Sequence, residues 1–194
     1  MIVDDITLMD KVGKGSFGEV YITKRKNSNL IYATKKVAKS LAFQEKIKRY
    51  FNNEIFILKN INHPNIIKLH EIKQTVNNFY LVFDYCNGGT LTNCLEQYKK
   101  KYNKPFSEEI AQYIIKKVVD GLYYLHKSKI IHRDLKLDNI LVHFNDVEDR
   151  KNLNLLKSEI KIIDFGFARY LNEDDLAQSV LGSPINMDPQ ILQK

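Results

Sequence analysis

Residues Ile130 to Leu141, Ile-Ile-His-Arg-Asp-Leu-Lys-Leu-Asp-Asn-Ile-Leu, decide how the chain is read. Two short apolar runs enclose the polar residues, the pattern of a loop held between buried strands that presents charged groups to a cleft. Asp134, Lys136 and Asn139 are the groups presented. A carboxylate, an ammonium and a carboxamide this close together suit phosphoryl transfer: the carboxylate orients a hydroxyl, the cation offsets developing charge and the amide ligates a metal. A polar turn between strands would have the same local pattern, so the remaining chain has to decide.

The 194 residues are 44% hydrophobic, enough for a packed core in one ordinary domain or two small lobes. Lys and Arg number 30 against 23 Asp and Glu, a net charge of +7. Much of the excess lies in local runs such as Lys24–Lys26 and Lys99–Lys101, and no basic stripe interleaved with aromatics argues for nucleic acid. Cys86 and Cys94 show neither metal-ligand spacing nor a disulfide framework, which fits a reducing compartment. The start, MIVDDITLMD, lacks the basic and apolar regions of a signal peptide, and no apolar run is long enough for a membrane span. A cytoplasmic location is the expectation.

In chain order, Ile6 to Val12 reads as a strand, and Gly13-Lys14-Gly15-Ser16-Phe17-Gly18 precedes a second strand at Val20-Tyr21-Ile22. Glycines in such a hairpin let the backbone approach phosphates, because no Cβ intervenes. A dinucleotide fold would start a helix after the glycines, whereas here β-branched and aromatic residues return at once. Leu30 to Val37 is a further strand, with Ala33 and Lys35 on one face and Thr34 and Lys36 on the other. Phe43 to Asn60 has helical periodicity through Ile47, Phe51, Ile55 and Leu58, and Glu54 falls on that stripe. A carboxylate there needs a cation, and Lys35 is the candidate.

Asn62-His63-Pro64-Asn65 ends the helix, and Ile66 to Ile72 and Phe79 to Tyr85 read as strands. The lobe boundary is placed after residue 86, giving units 1–86 and 87–194. Thr90 caps a short helix with Leu91, Cys94, Leu95 and Tyr98 on its apolar face, which makes Cys94 a core thiol. Ser107 caps the longest helix, striped with Ile110, Ile114, Val118, Leu122 and Leu125. His132, between apolar neighbours, reads as a core histidine rather than a metal ligand. Residues 145–158 are polar and read as a flexible insertion. Then Glu159 to Asp164 is a strand delivering Asp164-Phe165-Gly166, where an aspartate suits Mg²⁺ beside phosphates.

Six features in one order (GxGxFG, Ala-x-Lys, a helical Glu, HRDLKxDN, DFG and Gly182-Ser183-Pro184) make the chain from Ile6 to Leu192 resemble a eukaryotic protein kinase. Lys136, two residues after Asp134, looks like the serine/threonine branch. The run Asp164-Phe165-Gly166-Phe167-Ala168-Arg169-Tyr170-Leu171 and the preceding insertion look like the ULK-type autophagy-initiating kinases. The implied fold is α+β and bilobal: an antiparallel sheet with one helix, then a partial helical C-lobe.

The resemblance also implies roles, with ATP and Mg²⁺ as cofactors. Gly13, Gly15 and Gly18 would cover the phosphates, and Val12, Val20, Ala33 and Leu141 would sandwich adenine. Backbone groups of Asp84 and Cys86 would bind its edge, with Phe83 as gatekeeper. Lys35, held by Glu54, would bind the α- and β-phosphates, Asn139 and Asp164 would hold Mg²⁺, and Lys136 would face the transferred phosphate. Asp134 would orient a protein Ser/Thr hydroxyl and accept its proton. Leu58, Leu69, His132 and Phe165 resemble the apolar spine of active kinases. Ser179 is the candidate activation-loop phosphosite, with Arg133 as partner for its phosphate.

The family pattern breaks near the end. Asn186 stands where a Tyr is usual, and Asp188-Pro189-Gln190 where Ala-Pro-Glu is usual. The later C-lobe helices have no counterpart before Lys194, so exposed apolar surface and low solubility are expected. Two readings of function follow: an ATP-dependent serine/threonine kinase acting on protein substrates with a regulatory partner, or a kinase-like pseudoenzyme that binds nucleotide or a partner. A nucleic-acid binder has only net charge in its favour.

Overall fold

The computed structural model describes residues 2–15 and 18–170. The chain divides into two units, Met1–Asn62 with Ile67–Tyr85 and His63–Ile66 with Cys86–Lys194.

The first unit contains β1 (Ile2–Val3), β2 (Ile6–Gly15), β3 (Gly18–Arg25), β4 (Ile31–Ala38), α1 (Lys39–Ala42), α2 (Glu45–Asn60), β5 (Leu69–Gln74) and β6 (Asn78–Asp84). Its strands form one antiparallel sheet in the order β1-β2-β3-β4-β6-β5. Alternation divides the residues between two faces. Val3, Ile6, Leu8, Tyr80 and Val82 cluster on one, with Tyr21 and Tyr32 against them. At the edge, Lys73 Nζ lies 2.7 Å from Asp5 and 3.2 Å from Glu71, which also pairs with Arg25, so the turn after β1 is tied to β3 and β5.

The helix expected over residues 43–60 is α2, which starts two residues later, at Glu45, and is preceded by the separate short α1. Phe43 stays beside the sheet, its ring edge-on to Phe79 at 5.9 Å, and Gln44 is extended, so α2 starts afresh at Glu45. Phe51, Glu54, Ile57 and Leu58 are then its buried residues. The strand expected from Ile66 also starts later, at Leu69. Asn65 explains the difference: its Nδ2 donates to the Ile160 carbonyl at 3.0 Å and its own carbonyl accepts from Ile162 N at 2.9 Å, binding this stretch into the second unit.

The second unit contains β7 (Gly89–Thr90), α3 (Leu91–Tyr102), α4 (Glu108–Lys127), β8 (Ile130–Ile131), β9 (Ile140–Phe144), α5 (Val147–Lys151), β10 (Ser158–Ile162) and β11 (Arg169–Tyr170). The strands pair in the orders β10-β9-β7 and β11-β8. Thr90 and Asn93 form a reciprocal capping box, and Ser107 accepts from Ile110 N. On α4, Ile110, Ile114, Val118 and Leu125 are buried, whereas Leu122 is half-buried and Gly121 takes the inward place. A Cβ on Gly121 would lie 3.0 Å from Ile162 Cδ1 and 3.2 Å from the Asn65 carbonyl, so glycine permits this approach. Ile115, Val119 and Tyr123, four residues apart, form an exposed apolar line on the same helix.

Residues 145–158 are not the loose insertion their polarity suggests. Asp146 caps α5 by accepting from Glu148 N and Asp149 N, and Leu153 and Leu155 are buried. Each buried leucine contributes about 1.5–3 kcal/mol, which a composition count does not register. Among the described residues, no helix is long and apolar enough to cross a membrane.

Cys94 is fully buried and its Sγ donates to the Gly88 carbonyl at 3.2 Å. Burial pushes its thiol up to about 11. The folded pKa is raised, so this contribution to stability is complete below the ordinary thiol value of 9.0 and declines as pH rises towards about 11. The unfolding midpoint should therefore fall across that range more in the parent than in Cys94→Ala. At about pH 8, alkylation mapped by mass spectrometry should leave Cys94 unmodified in the folded chain.

Candidate active site

In the first unit, pairing aligns residues of the expected nucleotide site in two rows. Gly13 faces Val20, Val20 faces Lys35 and Lys35 faces Leu81; in the next row Ile22, Ala33, Phe83 and Leu69 follow one another. Lys35 Nζ lies 2.9 Å from both Glu54 carboxylate oxygens, with the side chains 9% and 4% exposed. Such a two-oxygen grip on a lysine fixes the ammonium at one place, which a pair in water would not do.

Gly15 and Gly18 pair across the β2–β3 hairpin, and a Cβ on Gly13 would meet open space. Gly18 differs, because its Cβ would lie 2.1 Å from the Lys36 carbonyl oxygen. Gly18→Ala should thus destabilise the first unit by about 1–3 kcal/mol, visible as a lower urea midpoint. Gly13→Ala should leave that midpoint almost unchanged.

Val12 is exposed, Val20 and Ala33 are half-buried and Phe83 is buried. Asp84 Oδ1 lies 2.7 Å from His70 Nε2, and its Oδ2 accepts from Lys68 N at 3.3 Å. His70 thus holds the Asp84 side chain, a contact with no signal in the sequence. An exposed polar residue near the start of a strand carries no periodic signal.

In the second unit, Asp134 is 4% exposed. Its Oδ2 accepts from Lys136 Nζ at 2.8 Å and from Asn139 Nδ2 at 2.9 Å, and its carbonyl accepts from the same Nδ2 at 2.8 Å. A 3₁₀ turn at Leu137–Asn139 brings the carboxamide back to the aspartate. With Nδ2 so used, Oδ1 is the Asn139 atom suited to a cation.

His132 joins this loop to the end of β10. Its Nδ1 accepts from Asp134 N at 3.3 Å, so Nε2 carries the proton and donates to the Ile163 carbonyl at 2.8 Å. Burial holds its pKa below the ordinary histidine value, consistent with a neutral ring. The ring also meets Phe165 edge-on at 5.0 Å. Ile163 N donates to the Asn139 carbonyl at 2.9 Å, so Asp164 follows directly on a residue bound to the loop. Asp164 has φ of 62°, a left-handed conformation uncommon outside glycine, and its Oδ1 accepts from Gly166 N at 3.4 Å. Arg133, also left-handed, donates from Nε to the Phe167 carbonyl at 2.7 Å.

Cys86 is buried and Leu141 half-buried in this unit. Asp164 and Asn139 offer oxygen donors of the kind a hard divalent cation takes together with phosphate oxygens. Ser16, Phe17 and Ser179, with Leu171, Gly182-Ser183-Pro184, Asn186 and Asp188-Pro189-Gln190, lie outside the described residues.

The protein kinase domain family matches residues 6–194, and the chain belongs to that family. The chain is similar to the serine/threonine-protein kinase ATG1a of Arabidopsis thaliana, 34% identical over 192 residues, 99% of this chain and 28% of the relative. It is 36% identical to the serine/threonine-protein kinase ULK1 of Homo sapiens over 185 residues, 94% of this chain and 17% of that protein. Calcium-dependent protein kinase 5 of Plasmodium falciparum (isolate 3D7) is 38% identical over 184 residues, 94% of this chain and 29% of the relative. The chain thus spans less than a third of the length of these curated relatives.

Proposed function

We propose that the chain acts as an ATP-dependent serine/threonine protein kinase. The observation that carries this reading is the buried Asp134 carboxylate bound by both Lys136 and Asn139. In the proposed reaction Asp134 orients a substrate hydroxyl and takes its proton as the oxygen attacks the γ-phosphorus of ATP, while ADP departs. Lys136 offsets charge on the transferring phosphoryl group, and Lys35, set by Glu54, holds the α- and β-phosphates. Gly13, Gly15 and Gly18 lie over the phosphates; Val12, Val20, Ala33 and Leu141 enclose adenine, Asp84 and Cys86 bind its edge, and Phe83 limits its depth. Asn139 and Asp164 would hold Mg²⁺, which when bound supplies charge neutralisation between the phosphates. Rate enhancement then comes from positioning and fixed charge.

Lys136 supports serine and threonine as acceptors. Similarity to ATG1a and ULK1, together with the segment after Asp164, supports the autophagy-initiating branch, and a cytoplasmic setting and control by a regulatory partner are proposed with it. Ser179 is the proposed activating phosphosite, read by Arg133.

The test is transfer of γ-labelled phosphate from ATP and Mg²⁺ to peptides whose only acceptor is Ser, Thr or Tyr. Label in Ser and Thr peptides supports the reading. Folded chain that binds ATP and labels none of them would favour the nucleotide-binding pseudoenzyme.

A further inference from the structure

We propose that a groove in the second unit, between α3 and the 145–157 segment, docks an acidic peptide carrying one bulky apolar side chain, a segment of a protein partner. The groove has a volume of about 540 Å³. Gln97 and Lys101 line it from α3, Phe144 from β9, and Val147, Arg150 and Lys151 from α5. Three lining residues are cations and none is a carboxylate.

The two acidic residues of α5 lie off the groove. Asp149 Oδ1 accepts from Asn154 Nδ2 at 2.8 Å, and Glu148 lies 3.7 Å from Lys151 in an exposed pair that contributes little. Val147 is 79% exposed, an apolar side chain standing among positive charges. A ligand with carboxylates alone would leave Val147 in water, and an apolar ligand would bring no negative charge to Lys101 and Arg150 or to Lys151, whose pairing with Glu148 is exposed and weak. Acidic residues on both sides of a leucine or phenylalanine satisfy both features.

The walls are set before any ligand arrives. Lys101 Nζ donates to the Lys151 carbonyl at 2.7 Å, and Tyr102 OH donates to the Asn152 carbonyl at 2.7 Å, fastening the segment to α3. Asn87 Nδ2 donates to the Phe144 carbonyl at 2.8 Å, and Asn87 Oδ1 accepts from Phe144 N at 2.9 Å, closing the inner end. A preformed groove spares the ligand the ordering of its site. Phe144 is only 2% exposed, so no lining aromatic offers a face to a nucleobase, which favours peptide over single-stranded nucleic acid.

The experiment is fluorescence polarisation with the full chain, without ATP or metal, which separates it from phosphoryl transfer. The probe is a labelled peptide with aspartates flanking one leucine; its controls carry asparagine for aspartate or alanine for leucine. The parent should bind the acidic leucine peptide at least about tenfold more tightly than either control, and less tightly as salt rises. Arg150→Glu/Lys151→Glu and, separately, Val147→Asp should lose that preference. All three positions are solvent-facing or line the groove, and Arg150→Gln/Lys151→Gln serves as a milder variant. Absence of binding, equal binding of all three peptides, equal binding by parent and Arg150→Glu/Lys151→Glu, or displacement of the probe by inorganic phosphate or oligothymidylate would each overturn the proposal.

Discussion

Asp134→Asn is expected to lower phosphate transfer by about 10²–10⁴-fold while leaving ATP affinity within about twofold of the parent. The substituted carboxamide keeps an oxygen where Lys136 and Asn139 donate, so the loop retains its geometry. What it loses is the negative charge and the basic site for the hydroxyl proton. The expected result is therefore a fall in kcat with little change in nucleotide binding by calorimetry. An unchanged rate would remove Asp134 from the proton transfer. Loss of ATP binding would instead make it a structural residue of the loop.

Lys35→Met should be costly in a different way. It leaves the Glu54 carboxylate, 4% exposed, without its lysine. Removing one member of a buried ion pair destabilises by about 3–5 kcal/mol, so the urea midpoint of Lys35→Met should fall well below the parent's. Replacing both members, in Lys35→Met/Glu54→Leu, should restore most of that loss, because apolar residues can substitute for a buried pair in stability. Activity should stay lost in both variants, since neither supplies an ammonium for the phosphates. Recovered stability with absent transfer would separate the functional role of the pair from its structural one. Transfer by the double variant would sink the assignment of Lys35.

Much of this site is legible along the chain because its parts are local. Lys136 and Asn139 stand a few residues from Asp134, and a turn suffices to bring all three together. Periodicity likewise put Glu54 on the inward stripe of its helix, because a helix that buries Phe51 and Leu58 on one side carries the intervening positions with them. Thr90 and Ser107 announced their helices because capping is a contact between near neighbours.

Contacts between distant segments left no comparable trace. The break at Gln44 accompanies the packing of Phe43 on Phe79. The order within residues 145–158 comes from two leucines finding buried places and from tethers to Lys101 and Tyr102. His70 on Asp84, Asn65 on Ile160 and Gly121 beside Ile162 likewise depend on partners brought near only by folding.

Residue type and spacing are enough to give the kinase family, to offer Lys35, Glu54, Asp134, Asn139 and Asp164 as candidate groups, and to mark the inward helix face that carries Glu54. Tertiary structure alone decided how those groups are held: Glu54 grips Lys35 with both oxygens, Asn139 turns its amide to Asp134, and His132 donates to Ile163. Residue type and short-range periodicity act within a few turns of chain. The orientation of a buried polar group is set by whichever distant donor or acceptor satisfies it, because leaving it unsatisfied costs about 1–3 kcal/mol.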